Sequence, residues 1–235
     1  KPDLRYDLEI KGISDLVKDS EFKVFSNTVS SGGVVRALKL EKAQEFKRQE
    51  LDDLEKMVQK EEEVKGLAYL IFQENGEVKS PIAKFLTSEI IESIKERTQA
   101  QNGDIVFIVA DTWKKACSSL GLVRQECAKK FNLQDSSKAV FAWIVDFNMY
   151  DYSELEEGEI DFSHNPFSMP QGGLEALEQK NPLDVLAYQY DVVCNGVELS
   201  SGAIRNHCPD IMYKAFEIGG YSREHLEERF GGLLR

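Results

Sequence analysis

The chain has 235 residues, with 41 acidic and 29 basic side chains and a net charge of −12 at pH 7. Its hydrophobic fraction of 42% is ordinary for a folded protein, and no apolar run reaches the roughly 18 residues that a membrane span requires. The acidic balance argues against a main nucleic-acid contact surface, because phosphate binding needs a basic footprint. This length allows one large domain or two smaller ones, each with its own core.

The cysteines show no CxxC spacing and predict reduced thiols in a cytoplasmic protein. The histidines and cysteines do not show the paired spacing that indicates a zinc site. The chain starts with Lys-Pro-Asp, without Met or a charged-then-apolar leader, so we expect an internal piece of a longer protein or a processed product. The residues concerned are Cys117, Cys127, Cys194, Cys208, His164, His207 and His225.

The first predicted elements are short. Residues 1–10 are expected to be extended, and Ser14 to cap a short helix. Residues 22–24 and 34–40 are predicted strands. Apolar residues at helical spacing then predict a charged helix over 42–63, whose carboxylates indicate a solvated face.

An alternation of strands and helices follows up to about residue 130. Gly32-Gly33 lacks the GxGxxG and GxxxxGK patterns, so we expect no cofactor there. The alternation predicts a self-contained α+β module of about 115 residues. Its elements are a strand at 67–72, a turn at Asn75-Gly76, helical structure from Ser80-Pro81 to Arg97, a buried strand at 105–110, and a helix capped by Asp111 or Thr112 with Trp113 facing inward.

The character of the sequence changes near Ser136. A lone loop histidine such as His164 is more often a structural hydrogen-bonding group than a catalyst, but its position just before a polar hairpin makes a functional role more plausible. The predicted elements are a strand at 139–147, an acidic loop at 150–159, a proline-rich loop at 161–170, and helices at 174–179, 210–216 and 222–230.

Residues 189–206 predict a β-hairpin with Asn195-Gly196 as a type I′ turn. Side chains alternate between the two faces of a strand, so Asp191 and Glu198 share one face and lie diagonally across it. The apolar face is predicted to be the core face. It carries Tyr190, Val192, Cys194, Val197 and Leu199, and the polar face carries Gln189, Asp191, Val193, Glu198 and Ser200.

Two carboxylates at this spacing repel each other unless a cation lies between them, which predicts a divalent metal site. Ser200-Ser201-Gly202 indicates a bulge or a close approach to a ligand. A one-residue bulge would place Arg205 on the face of the carboxylates, where its planar guanidinium can bind a carboxylate or a phosphate. The alternative is an exposed sheet face with solvated charges.

Seven segments spread over the whole chain carry a resemblance to a known family: KPDLR, GLAYLIF, SPIAKFL, DFNMY, FSHNPFSMP, AYQYDVVCNGVELSSGAIRNH and HLEERFGGLL. Together they resemble bacterial-type aspartyl-tRNA synthetases of class II. The resemblance implies an α+β fold, in which part of a mixed antiparallel catalytic sheet (1–13 and 136–235) is interrupted by an inserted GAD-type module (14–135).

The resemblance also implies roles for individual residues. Asp191 and Glu198 would hold Mg²⁺, and Glu198 would contact ATP. Arg205 and His164 would bind the substrate L-aspartate. Three small or hydrogen-bonding residues would support them: Asn165, Ser200 and Ser201. The resemblance assigns a catalytic role to none of these residues.

The implied activity is formation of aspartyl-adenylate and transfer of aspartate to tRNA, by a cytoplasmic homodimer without membrane contact. The second and third class II motifs and the anticodon-binding barrel lie outside this chain, so the fragment alone is expected to be inactive. Three alternatives remain: a non-catalytic interaction module built on the inserted domain, a class II synthetase for asparagine or lysine, and a metal-dependent hydrolase.

Overall fold

The computed structural model describes residues 2–42, 45–153 and 158–234. The chain divides into two compact units. One unit, called the module below, spans residues 6–135, and the other, called the hairpin unit, combines residues 1–5 with 136–235. Both contain helices and antiparallel sheets, so the fold is α+β.

The module is built on a five-stranded antiparallel sheet with the strand order β1-β2-β5-β3-β4. Residues 6–13 belong to this unit and not to the flanking segment expected from the sequence, because strand β1 pairs with β2. The strands are β1 Ile10–Gly12, β2 Val34–Leu40, β3 Ala68–Phe72, β4 Val78–Lys79 and β5 Ile105–Asp111, and the helices are α1 Ser14–Val17, α2 Lys23–Ser30, α3 Arg48–Glu62, α4 Ser88–Thr98 and α5 Trp113–Lys130.

Hydrophobic cores cover both faces of the module sheet. Val106 and Ile108 of the central strand β5 belong to the core that includes residues of α1, α2 and α4. Ile105 and Phe107 belong to the other core, formed with α3 and α5. Burial on both faces explains why β5 is a continuous apolar run in the sequence.

Two helices of the module begin elsewhere than expected. The predicted helix over 42–63 begins at Arg48, and residues 43 and 44 lie outside the described part of the chain. The helical structure expected from Ser80-Pro81 is a 3-10 turn at Ala83–Phe85 followed by α4, where the side chain of Thr87 accepts the N–H of Ile90 at 3.3 Å.

Two further predictions for the module are wrong. Residues 22–24 are not a strand, because Phe22, Phe25 and Val29 follow helical spacing and pack on the sheet through α2. Trp113 does not face inward. It starts α5 beyond the packed part of the helix, is 61% exposed, and lies 6.0 Å from the guanidinium carbon of Arg36.

The hairpin unit contains a three-stranded antiparallel sheet of order β10-β9-β6 and a two-stranded sheet, β7-β8. The predicted acidic loop at 150–159 is therefore wrong for its first three residues, which form a strand, and its residues 154–157 lie outside the described residues. The strands are β6 Phe141–Asn148, β7 Tyr150–Tyr152, β8 Ile160–Phe162, β9 Leu186–Cys194 and β10 Val197–Ala203, and the helices are α6 Gly173–Gln179, α7 Pro209–Ile218 and α8 Arg223–Phe230.

Tyr150 anchors the core of the hairpin unit. Its side chain is fully buried, its hydroxyl donates to the carbonyl oxygen of Ala215 at 2.9 Å, and its ring stacks on Phe162. Burial raises the pKa of this phenol, so it stays neutral and keeps donating that hydrogen bond.

All four cysteines are free. In the described residues, no helix is both long and apolar enough to cross a bilayer.

Candidate functional site

The predicted hairpin is confirmed. Asn195 and Gly196 have φ values of 52° and 82°, which is the conformation that a type I′ turn requires. Cys194 pairs with Val197, and Val193 with Glu198. The Asn195 side chain also fixes the turn to the segment before β6, because its Oδ1 accepts the N–H of Val140 at 3.0 Å.

A β-bulge interrupts β10 between Glu198 and Ser200, slightly before the predicted position. Beyond it, Ser201 pairs with Asp191 and Ala203 with Gln189. Ser201 therefore takes the place on the Asp191 face that was predicted for Ser200, which pairs instead with Val192 on the opposite face.

The shifted register also decides the position of Arg205. The N–H of Ile204 donates to Tyr188 at 2.9 Å, which continues the ladder past Ala203. Side chains alternate, so Arg205 takes the face of Ala203 and Asp191, and Ile204 takes the opposite face. The chain thus brings Asp191, Glu198 and Arg205 to one face of the hairpin.

The two faces of this sheet are buried in the reverse of the predicted order. Gln189 and Asp191 are only 8% and 5% exposed, and Val193 is fully buried. The apolar face, which was predicted to be core, is exposed instead. The residues of this exposed apolar face are Phe141, Trp143, Val145, Tyr188, Tyr190, Val197 and Ile204.

The loop that contains His164 is attached to the polar face. The Gln189 side chain donates to the carbonyl oxygen of Asn165 at 3.1 Å. Ser168 and Arg205 form an antiparallel bridge, flanked by a backbone hydrogen bond from Asn206 to Phe167 of 2.8 Å. The loop therefore continues the sheet beside the Arg205 segment.

His164 itself is exposed and lies edge-on to the Phe147 ring, with 5.2 Å between ring centroids. Its neighbour Asn165 forms a local turn, in which Oδ1 accepts the N–H of Phe167 at 3.0 Å. The structure thus places His164 in the loop that borders the Arg205 face, held there by backbone contacts.

Gly202 allows a close approach, but the group that approaches is an aromatic ring of the chain itself. A Cβ atom at this position would lie 2.5 Å from Cε2 of Tyr190 and 2.9 Å from its hydroxyl oxygen. Tyr190 in turn packs edge-on against Trp143, with 5.7 Å between ring centroids. The glycine therefore serves the exposed apolar face and not the polar one.

Sequence reasoning missed two buried polar side chains beside the site. Ser168 and Asn206 are 0% and 1% exposed, and Ser168 Oγ and Asn206 Nδ2 have no hydrogen-bond partner among the described residues. Buried polar atoms of this kind usually bind ordered water or a ligand. The only signal in the sequence is their position next to His164 and Arg205.

The oxygen ligands on the polar face suit magnesium, since one or two carboxylates plus substrate phosphates are its common protein environment. Asp191 and Glu198 supply two carboxylates, and within the described residues no cluster of three His, Cys, Asp or Glu side chains could hold a metal. Five cavities of 240–490 Å³ are lined by module residues, and none of these five includes Asp191, Glu198, Arg205 or His164.

Comparison with known proteins gives two findings, and the first concerns the module. Residues 25–120 match the GAD domain family, and this range includes four of the five strands of the module sheet, β2 to β5.

The full chain is similar to one kind of enzyme. It is 48% identical to the "Aspartate--tRNA(Asp/Asn) ligase" of Prosthecochloris aestuarii and 52% identical to that of Chlorobium phaeovibrioides, in each case over the whole chain and 38% of the relative. It is 47% identical to the protein of the same name from Rickettsia felis, over 40% of that relative. The resemblance to aspartyl-tRNA synthetases is therefore confirmed, and the chain spans about two fifths of the length of these relatives.

Proposed function

We propose that this chain is part of an enzyme that activates L-aspartate with ATP and transfers it to tRNA. The observation that carries the proposal is the register beyond the bulge, in which Ala203 pairs with Gln189 on the face of Asp191 and Glu198. Strand alternation gives Arg205 the same face as Ala203. The names of the relatives support the proposal, and tRNA(Asp/Asn) is the acceptor that those names suggest.

Arg205 is proposed to bind the side-chain carboxylate of L-aspartate. A guanidinium presents two parallel N–H donors that match the two oxygens of a carboxylate. Asparagine carries a neutral amide, which would leave Arg205 without its second acceptor and cost on the order of several kcal/mol in a dry pocket. His164, in the loop that borders this face, is proposed to contact the amino acid, with Asn165 and Ser201 beside these groups.

Asp191 and Glu198 are proposed to hold Mg²⁺, with Glu198 also contacting ATP. The ion would neutralise charge on the ATP phosphates when it is bound. The chain's own contribution is the hairpin, which places two hard oxygen donors on the face that Arg205 shares. Asp191 lies in a buried part of this face, so its position is defined by packing.

The chain is proposed to be inactive by itself. It spans 38% of the length of the first relatives, and the exposed apolar face of its sheet offers a surface that further parts of a longer protein would cover. A cytoplasmic homodimer is proposed for the parent protein.

A substitution at Arg205 in the complete parent enzyme tests the proposal. Arg205→Ala should reduce aspartate-dependent pyrophosphate exchange by at least about a hundredfold, since one charged hydrogen-bonded pair is worth about 3 kcal/mol. The matched control is Arg229→Ala, which removes an exposed arginine in the last turn of α8. Near-normal aspartate activation by the Arg205 variant, with an unchanged fold, would refute the assignment. Adenylate formation by the isolated 235-residue chain would refute its proposed inactivity.

One observation favours a second function. The module has a core on each face of its sheet and lines all five of the cavities described above. A unit of this kind can act as a binding domain without any part in catalysis. Folding of residues 6–135 alone, with retained binding to tRNA or to a protein partner, would support this role.

A further inference from the structure

The outer edge of the module sheet is only partly paired. Strand β3 pairs along its inner side with β5, from Ala68 to Ile71. Along its outer side it pairs with β4 only at Ile71 and Phe72, because β4 consists of Val78 and Lys79. The first residues of β3 therefore have no neighbouring strand on this side among the described residues.

The ladder shows which backbone groups point outward. The N–H of Phe72 donates inward, to the carbonyl oxygen of Asp104 at 2.9 Å. Backbone groups alternate along a strand, so those of Leu70 also point inward, and those of Ile71 and Tyr69 point outward. Strand β4 ends at Lys79, before a residue that would pair with Tyr69, and in the turn that follows the Ser80 hydroxyl accepts the N–H of Ile82 at 3.1 Å. No backbone hydrogen bond joins Tyr69 to Pro81.

The next backbone group that points outward is the N–H of Leu67, and a side chain already accepts its hydrogen bond. The acceptor is the Glu55 carboxylate, at 3.4 Å. Gly66 makes room for this carboxylate, since a Cβ there would lie 2.8 Å from the same oxygen. A side-chain oxygen thus occupies the place that the carbonyl of a pairing strand would take, and Tyr69 remains open beside it.

A groove of about 390 Å³ lies along this open edge. One wall is apolar and includes Phe22, Phe25 and Ile82, with 4.7 Å between the two phenylalanine ring centroids. The other wall is formed by Arg48 and Asp52 of helix α3. The backbone edge is thus recessed between an apolar wall and a charged wall.

We propose that this groove binds an extended peptide segment of a partner protein, which pairs with Tyr69 as an added strand. Main-chain hydrogen bonds supply affinity in such binding, and pockets for alternate side chains supply specificity. A second copy of the chain could not pair its β3 edge with this one, because each β3 edge is recessed between the same two walls. The described residues of the module form a core on each face of the sheet, and the groove lies at the sheet edge between these two packed layers.

The pairing geometry defines the side chains of the partner. A residue opposite Tyr69 places its side chain on the Tyr69 side of the sheet, where Arg48 and Asp52 of α3 form the charged wall of the groove. Its two neighbours in the peptide then face Phe22 and Ile82. The expected motif is therefore a polar residue between two bulky apolar ones. This inference is independent of the proposed enzymatic activity.

The probe is the peptide acetyl-Lys-Leu-Thr-Leu-Lys-amide, added to the ¹⁵N-labelled 235-residue chain. We expect a saturable chemical-shift change and slowed hydrogen exchange at the Tyr69 amide. The control peptide carries N-methyl-threonine at its centre, keeps every side chain, and lacks the N–H that would donate to the Tyr69 carbonyl. We expect it to bind about tenfold more weakly. Equal binding of both peptides, or shift changes only outside the groove, would overturn the proposal.

A protein variant tests the apolar wall. Val24 lines the groove and is 40% exposed, so Val24→Glu should fold normally and weaken binding of the probe at least about tenfold. The matched control is Val197→Glu, an exposed position in the hairpin unit, which should leave binding unchanged. Loss of binding in the control, or unchanged binding in the Val24 variant, would contradict the proposed site.

Discussion

The two units differ in how they cover their sheets. The module buries both faces of its five-stranded sheet, with fully buried residues such as Leu38 and Phe107 on one side and Ile108 on the other. The hairpin unit buries the polar face of its three-stranded sheet and exposes the apolar one, where Phe141 and Trp143 are 61% and 65% exposed. An exposed apolar face usually marks an interaction site. The module thus covers both faces of its sheet with its own residues, whereas the hairpin unit leaves one apolar face open.

Two phenylalanines test this contrast directly. Phe107→Ala, in the module core, should lower the free energy of unfolding by about 3–5 kcal/mol, through lost burial and a cavity. Phe141→Ala, on the exposed apolar face, should change it by less than about 0.5 kcal/mol. Native-state hydrogen exchange, measured at the amides of β5 for the module and of β9 for the hairpin unit, determines the two effects separately. A large loss for Phe141→Ala in the isolated chain would show that this face is already covered.

Gly202 tests the internal packing of the exposed face. Gly202→Ala should destabilise the hairpin unit by about 1 kcal/mol, because the new methyl group forces the Tyr190 ring to move. The ring is partly exposed, which limits the cost. In a Tyr190→Ala background the same substitution should be neutral or stabilising, since alanine is preferred over glycine within a strand. Equal effects in both backgrounds would exclude the ring as the cause.

The smallest expected effect on stability comes from substituting Asp104, a buried residue of the module. Burial raises the pKa of this carboxyl, although it accepts the Gln101 N–H at 2.7 Å. The folded state thus binds the proton more tightly than the unfolded state, so this contribution to stability is present at low pH and is lost as pH rises through the folded pKa. Asp104→Asn keeps an acceptor oxygen. Its stability relative to the natural chain should rise between about pH 3 and pH 6, by less than about 1 kcal/mol. A difference that is constant over this range would contradict the shift.

Local patterns predicted much of the fold. Apolar periodicity located β2, β3, β5 and most helices, because burial on one or two faces leaves a period in the sequence. It failed at 22–24, where a short apolar pair suits a strand or a helix, and only packing of Phe25 on the sheet decides between them. It failed also at Trp113, because an aromatic residue in the first turn of a helix can lie beyond the element that the helix covers.

In the hairpin, too, the sequence predicted the local geometry, and only the tertiary structure decided the rest. Asn195-Gly196 and the alternation around it determined the turn, the two cross-strand pairs next to it and the common face of Asp191 and Glu198, since turn chemistry and strand geometry are local. A bulge before Arg205 was also predictable from Ser200-Ser201-Gly202, but its position between Glu198 and Ser200 was not. Alternation sorts side chains into two faces, but only the surrounding elements determine which face is buried. In the structure the polar face is the covered one: Asp191 is 5% exposed, and the Gln189 side chain donates to the carbonyl oxygen of Asn165 in the adjoining loop.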